Sequence, residues 1–130
     1  MRSKIVMEAI EKQTDCFYFK HVLGDLKGGF REDISDINIL ESIVKTSINR
    51  IQSNCITIQF ERVSQNGIVL TAILKEGRLN LYSYPKRNLL CIDGLSYKKT
   101  YNPKLIIDTI AAILQANQVQ VHEIDRGEYN

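Results

Sequence analysis

Over residues 64–97 the chain reads SQNGIVLTAILKEGRLNLYSYPKRNLLCIDGLSY, and this stretch decides the fold. Asn66-Gly67 predicts a hairpin turn, because this dipeptide tolerates the positive φ angles that such turns require. Two apolar runs follow and meet at Glu76-Gly77-Arg78, and a third run covers residues 88–96. The pattern predicts three successive strands joined by hairpin connections.

Two helices are predicted on either side of these strands. The first has an apolar stripe at helical spacing, formed by Ile37, Leu40, Val44, Ile48 and Ile51. Ser35 is placed as its N-cap, with Asp36 in the first turn, where the helix dipole favours a negative charge. The second helix is predicted to begin at Asn102-Pro103, a capping residue followed by a proline at the first helical position. Its end is placed at Asn117.

The remaining segments complete an α+β fold. Residues 16–23 are rich in aromatic and branched side chains and predict a first strand, which the glycine-rich residues 24–29 are expected to end as a flexible connection. Residues 56–63 alternate as a half-buried strand, and residues 118–124 alternate as the last strand. This order predicts a two-layer sandwich, in which two helices cover one face of a mainly antiparallel sheet.

The composition is that of an ordinary globular protein, with 130 residues, 44% hydrophobic content and a formal net charge of +2. These values predict a single domain over residues 1–130 and give no reason to expect nucleic acid or a membrane as a partner. Residues 1–13 have no long apolar run, so neither a secretory signal nor a membrane span is expected. Cys16, Cys55 and Cys91 are interpreted as buried thiols of a cytoplasmic protein. The isolated His21 and His122 argue against a metal site.

A series of short pieces covers about residues 55–127. In order, they are Phe60, Gly67, Glu76 before a small residue, Tyr84-Pro85, Ile92-Asp93, Asn102-Pro103 and the closing VQVHEIDRG of residues 119–127. With this order and spacing, the chain resembles the small bacterial and archaeal S-adenosylmethionine decarboxylase proenzymes. The resemblance implies the same sandwich fold and a homodimer in which the two sheets face each other.

The resemblance also implies a cofactor that the matched position does not supply. Members of that family cut their own chain between a Glu and a Ser, and the Ser becomes a pyruvoyl group that binds the substrate amine. Here the pair is Glu76-Gly77. Cleavage needs a side-chain hydroxyl or thiol to attack the preceding carbonyl, and glycine has neither. No pyruvoyl group, and no other cofactor, is therefore expected.

Four other matched positions also lack the functional residue that the family has there. The position of the processing His is Tyr82, and the position of the catalytic Cys is Tyr97. The Ser that precedes the cleavage site is replaced by Val69, and the Glu after the family's Trp-Pro is replaced by Lys86, which reverses the charge. The resemblance thus implies the fold and argues against the activity.

The resemblance leaves five candidate ligand-binding residues, which are Phe60, Tyr82, Tyr84, Lys86 and Asp93. The three aromatic rings could stack on a nucleoside-like small molecule. Lys86 could pair with a carboxylate or phosphate, and Asp93 could orient a group across the site. The alternative is that all five are ordinary strand and turn residues.

Three functions are compatible with the sequence. The first is a catalytically inactive relative of the decarboxylase, a binding or regulatory protein of polyamine (spermidine) metabolism that associates with an active decarboxylase paralogue. The second is an enzyme of another reaction that uses the same pocket without pyruvoyl, with Tyr82, Tyr97 and Lys86 as its titratable groups. The third is an active decarboxylase cleaved elsewhere, for example before Ser83 or Ser96.

Overall fold

The structure, a computed structural model, describes residues 18–30, 32–63, 67–98 and 101–127. Its elements in chain order are β1 (Tyr18–Lys27), a 3-10 helix (Asp33–Ser35), α1 (Ile37–Arg50), β2 (Cys55–Val63), β3 (Gly67–Leu74), β4 (Gly77–Tyr84), a second 3-10 helix (Pro85–Arg87), β5 (Leu89–Ser96), α2 (Pro103–Leu114) and β6 (Gln118–Gly127). The predicted order of strand, helix, strands, helix and strand is confirmed.

The strands form one antiparallel sheet in the order β2-β3-β4-β5-β1-β6. The hairpin-connected strands predicted from residues 64–97 are β3, β4 and β5, which pair in sequence. The first strand inserts between β5 and β6, so that Leu23 pairs with Asp93 on one side and with His122 on the other. The predicted turn at residues 64–66 lies outside the described residues.

Both helices cover one face of the sheet, as predicted for an α+β sandwich, and the core lies between the two layers. Burial alternates along β3, β4 and β5, so every second side chain points toward the helices. Two glycines allow α2 to approach closely. A Cβ atom added to Gly94 would lie 2.5 Å from the Cβ of Pro103, and one added to Gly24 would lie 2.7 Å from a methyl group of Ile107.

The first strand is longer than the sequence predicts. Residues 24–27, expected to belong to a flexible connection, continue β1 as far as Lys27 and pair with both β5 and β6. The glycine at position 24 does not break the strand, because it fits beneath Ile107 where a larger residue would clash. Residues 16 and 17 of the predicted strand lie outside the described residues.

The N-cap of α1 is Asp36, and the prediction of Ser35 is wrong. The Asp36 carboxylate accepts hydrogen bonds from the N–H groups of Asn38 at 2.8 Å and Ile39 at 3.2 Å. Ser35 lies one residue too early, and its hydroxyl donates to the Glu32 carbonyl instead. The acidic residue therefore stabilises the helix by capping it as well as by its charge.

The start of α2 agrees with the prediction and its end does not. The Asn102 side chain accepts a hydrogen bond from the N–H of Lys104 at 3.0 Å, and Pro103 occupies the first helical position. The helix ends with Gln115 in the left-handed region, at φ 54°, two residues before the predicted Asn117.

The outer strand β2 is more exposed than its alternating sequence suggests. Ile56 is 68% exposed and Phe60 is 41% exposed, because β2 lies at the edge of the sheet.

Cys55, at the start of β2, is exposed and Cys91 is half-buried, so the prediction of buried thiols is wrong for Cys55. Cys16 lies outside the described residues.

Within the described parts of the chain, no helix combines the length and the apolar character that a membrane crossing requires. The same residues contain no group of three or more His, Cys, Asp or Glu side chains placed to hold a metal ion.

Candidate functional site

The sheet has an open face, opposite the helices, which we define by alternate residues of β1, β4 and β5. These residues are His21, Leu23, Asp25, Arg78, Asn80, Tyr82, Tyr84, Cys91, Asp93 and Leu95. Tyr82 pairs with Cys91 across the strands, and Asp93 pairs with Asn80 in the next row. The structure therefore brings the candidates Tyr82 and Asp93 together near the centre of this face.

The titratable groups at the centre of the open face are biased toward their protonated forms. Burial raises the pKa of the Cys91 thiol to about 11, and a hydrogen bond with Asp25 acts in the same direction. Burial, followed by the charge of Asp93, raises the pKa of Tyr82. The pKa of Asp93 is itself raised by burial, while His21 opposes this shift and Asp25 reinforces it. In each of these three groups the environment therefore favours the protonated form relative to the same side chain in water.

The other ligand-binding candidates do not join this cluster. Phe60 pairs with the buried Leu70, so its ring lies on the helix side of the sheet, opposite to Tyr82. Tyr84 shares the open face but lies at the end of β4, where it is 45% exposed. Lys86 is exposed in the 3-10 helix that follows. The predicted aromatic set is therefore divided between the two faces.

The matched cleavage position lies at the other end of β4. Gly77 begins the strand and pairs with Ser96. Along the extended strand, Gly77 lies five residues, or about 17 Å, from Tyr82. The Glu76 carbonyl accepts a hydrogen bond from the N–H of Tyr97 at 2.7 Å. Gly77 and Tyr97 are thus adjacent, and Tyr82 is remote from both.

The environment of Gly77 is closed to any side chain. A Cβ atom added there would fall well within 3.0 Å of the Leu95 carbonyl oxygen, and it would lie 2.7 Å from a ring carbon of Tyr101. Real Cβ atoms essentially never make contacts under 3.0 Å. A backbone oxygen held in a sheet cannot move away as the end of a flexible side chain can. The packing at this position therefore accommodates only glycine.

Beside Gly77, on the helix side, is a pocket of about 240 Å³ that we call the Glu76 pocket. It is lined by Ile51, Gln52, Ser53, Glu76, Tyr101, Asn102 and Leu105. The Ser53 hydroxyl donates a hydrogen bond to a Glu76 carboxylate oxygen at 2.5 Å. The Tyr101 hydroxyl is buried and has no hydrogen-bond partner. Burial and the nearby Glu76 charge raise the pKa of Tyr101 well above its usual range.

Sequence reasoning identified Glu76 but not the residues that surround it. Ser53 lies in the connection after α1, and Tyr101 lies just before α2, so neither belongs to a periodic pattern. A local signal for Tyr101 does exist, because it directly precedes the capping pair Asn102-Pro103 and an aromatic residue there can pack beneath the start of the helix. Nothing in the sequence links it to Glu76.

Comparisons with known proteins confirm the resemblance and extend it toward the N-terminus. A family model described as S-adenosylmethionine decarboxylase matches residues 20–127. The S-adenosylmethionine decarboxylase proenzyme 2 of Bacillus cereus is 25% identical over 108 residues, which is 83% of this chain and 88% of that protein. The S-adenosylmethionine decarboxylase proenzyme of Brevibacillus brevis is 21% identical over 108 residues, which is 83% of this chain and 81% of that protein.

The fold is shared with a solved structure as well. The crystal structure of the adenosylmethionine decarboxylase from Aquifex aeolicus superposes with a TM-score of 0.74 and 16% identity, covering 86% of this chain and 92% of that one. The family match spans most of the described sheet and both helices. This chain belongs to the S-adenosylmethionine decarboxylase family.

Proposed function

We propose that this chain is a non-catalytic member of its family, which acts as a binding or regulatory protein linked to polyamine metabolism. The observation that carries the proposal is Gly77, which stands where the family's self-cleavage needs a serine and lies where the packing leaves no room for a side chain. The free thiols of Cys55 and Cys91 fit a protein that works in the cytoplasm, where thiols stay reduced.

The residues at this position do not fit a pyruvoyl group. A pyruvoyl group would have to derive from a residue with a hydroxyl or thiol at position 77, and glycine supplies no such atom. The absence of a side-chain nucleophile at position 77 favours an intact chain.

The groups on the open face give little support to an alternative enzyme. A cysteine or tyrosine that acts as nucleophile or base is activated when its pKa falls. Here the pKa values of Cys91 and Tyr82 are raised instead. The positions matched to the family's His and Cys, Tyr82 and Tyr97, also lie at different points along the sheet. These observations favour binding over catalysis.

We further propose that the open face is a protein interface, used for a homodimer or for association with an active decarboxylase paralogue. Half-buried apolar side chains of β1, β3 and β5 lie on the same side of the sheet as the open face, and they include Leu23, Ile73, Leu89 and Leu95. Such side chains gain from removal from water, and a second sheet of the same kind would cover them. A protomer that lacks the nucleophile could then modulate an active partner.

A nucleoside-like ligand is a narrower proposal for the same face. Tyr82 and Tyr84 alternate along β4 and share the face, so their rings could contribute to stacking on a flat base. Phe60 would not take part, because its side chain lies on the opposite face. Lys86, near Tyr84, favours an anionic ligand over a sulfonium compound, which would meet a like charge.

An assay of CO₂ release from S-adenosylmethionine labelled in the carboxyl carbon tests the loss of catalysis. We expect no release above background at protein concentrations where a processed family member gives full conversion. A release that scales with the concentration of this chain would contradict the proposal. Co-expression with the active decarboxylase of the same cell tests the regulatory part, which requires that the two chains purify together and that the decarboxylase rate changes.

A further inference from the structure

The basic side chains of the open face lie toward the end of the sheet where β4 begins. Leu95 pairs with Arg78 of β4 and with His21 of β1, so these three residues form one row across the sheet. We call them the basic row. On β6, Arg126 pairs with Phe19 and therefore lies still further toward the same end.

The acidic side chains of the open face lie toward the opposite end. Asp93 pairs with Leu23 in the row next to the basic row, and Asp25 pairs with Cys91 in the row after that. Both carboxylates are half-buried, whereas Lys27, at the end of β1, is exposed to solvent and offsets them only weakly. The charge of the face is therefore divided along the strand direction.

Neither carboxylate is neutralised within the protomer. The ion pairs among the residues that the structure describes lie on the helix side, and they are Lys20 with Glu123, Lys45 with Glu41, and Lys104 with Asp108. A surface that covers the open face removes Asp25 and Asp93 further from water, which costs free energy unless opposite charges meet them. The partner is therefore expected to bring basic groups to the acidic end.

A second copy of this chain supplies these groups in one orientation and not in another. The two-fold axis that relates two facing sheets lies between them and is parallel to both. If the axis runs along the strands, each end of the face meets the same end of the partner, and carboxylates face carboxylates. If the axis runs across the strands, the two ends are exchanged, and the acidic end faces the basic row.

We propose that two copies of this chain associate through the open face with the axis across the strands, so that Asp93 of each copy faces Arg78 and His21 of the other. Asp93 is on β5, and the two basic residues lie on the strands that flank β5. Facing sheets in proteins pack roughly 10 Å apart with strand directions within about 30° of each other, so rows near the axis stay opposite each other. The apolar Leu23 and Leu95 belong to the same two rows and are covered with the charges.

This inference rests on the interface proposed above and adds its orientation and its paired residues. A face that carries both signs of charge at separate ends complements a reversed copy of itself. A partner of a single sign would match one end and repel the other. The charge pattern therefore favours a second copy of this chain as the occupant.

The first test is the dissociation constant of the dimer, measured by sedimentation of the full chain at neutral pH and low salt. Asp93→Asn and Arg78→Gln should each raise this constant by about tenfold, because each leaves an opposite charge without its partner. If like ends met, each substitution would remove a repulsion and the dimer would tighten. The controls Asp33→Asn and Arg87→Gln remove the same charges at exposed positions of the two 3-10 helices and should leave the constant unchanged.

The second test is cross-linking, which reports the orientation independently of charge. In a chain with Cys16, Cys55 and Cys91 replaced by serine, Thr71→Cys should be joined to its counterpart by a short bismaleimide. Thr71 is on β3 in the row of Asp93, and an axis across the strands places β3 opposite β3. Tyr84→Cys, at the far end of β4, should not be joined, because the opposite end of the partner faces it.

The outcomes separate the orientation from the interface itself. A wild-type dimer that neither Asp93→Asn nor Arg78→Gln weakens, or that cross-links at position 84 instead of position 71, would overturn the orientation and leave the interface in place. A wild-type chain that remains monomeric would overturn both. Circular dichroism can confirm that the variants are folded.

Discussion

Gly77 and Leu95 lie so close that a Cβ atom on the first would collide with the carbonyl oxygen of the second. The two residues belong to neighbouring strands, whose pairing at this end joins Gly77 to Ser96. The packing at position 77 therefore accommodates glycine and would have to shift to admit a serine. Restoring the hydroxyl alone should not restore the chemistry.

We predict that Gly77→Ser remains uncleaved and is less stable than the wild type. Overpacking costs roughly 1–3 kcal/mol, which corresponds to a fall in Tm of roughly 3–15 °C for a domain of this size. Differential scanning calorimetry measures the fall, and denaturing gel electrophoresis detects cleavage. Arg78→Ser, at the next and exposed position, should change Tm little. Self-cleavage of Gly77→Ser at wild-type stability would show that the site is still ready for catalysis.

The cap of α1 gives a second prediction. Asp36→Ala removes the acceptor for two backbone N–H groups, and we expect a loss of about 1 kcal/mol in the free energy of unfolding. Ser35→Ala is the matched control, since its hydroxyl makes only an exposed hydrogen bond to the Glu32 carbonyl. Urea denaturation compares the two variants. A larger effect for Ser35→Ala would assign the cap to the serine that the sequence favoured.

These helix ends show where sequence reasoning reaches its limit. Asn102-Pro103 was predicted correctly because capping and the tolerance of proline at the first turn are local properties. The prediction of the α1 N-cap was wrong by one residue. Both Ser35 and Asp36 are residue types that cap helices, and the sequence alone does not show at which residue the helix begins. Residues 24–27 were assigned to a connection because the fit of Gly24 beneath Ile107 is a tertiary contact.

The candidate site was predictable only in part for the same reason. The glycine at position 77 is visible in the sequence, but the close packing of Leu95 and Tyr101 against it is not. Tyr101 and Ser53 come from separate connections that meet Glu76 only in the folded chain. Phe60 was grouped with Tyr82 by resemblance, and the pairing of β2 with β3 places them on opposite faces.

The raised pKa of Cys91 leads to a third prediction, which concerns its reactivity. In a chain with Cys16 and Cys55 replaced by serine, the rate of alkylation by iodoacetamide should keep rising up to about pH 11, because the pKa of Cys91 is raised to about 11 and the thiolate is the reactive form. In urea the same rate should level off near pH 9. A plateau near pH 9 for the folded protein would contradict the assigned environment.

The same shift makes stability depend on pH. Because the folded-state pKa of Cys91 lies above the 9.0 of an unperturbed thiol, the folded thiol holds its proton more tightly than the unfolded one. Its contribution to stability is complete below about pH 9 and is lost as the pH rises toward 11. This decline in stability at high pH should be smaller in the Cys91→Ala variant than in the wild type.

The proposed interface on the open face gives a fourth prediction. Leu95→Glu places a carboxylate among its apolar residues, next to Arg78, with which Leu95 pairs. The new charge can be neutralised within one protomer, so the fold should persist while the association is lost. Sedimentation velocity should show a dimer for the wild type and a 14.9 kDa monomer for the variant.

Ile39→Arg is the control for this experiment. Ile39 is 40% exposed on α1, on the helix side of the sheet, and its replacement should leave the dimer intact. A wild-type chain that sediments as a monomer, or a Leu95→Glu chain that still dimerises, would exclude the open face as the interface between copies of this chain.

The intact mass of the purified, untagged chain under denaturing conditions tests the central claim most directly. The absence of a nucleophile at Gly77 predicts a single species near the full 14.9 kDa. Two fragments that sum to the chain, the C-terminal one blocked at its N-terminus, would contradict the account and would identify the residue at the cut as the source of a pyruvoyl group.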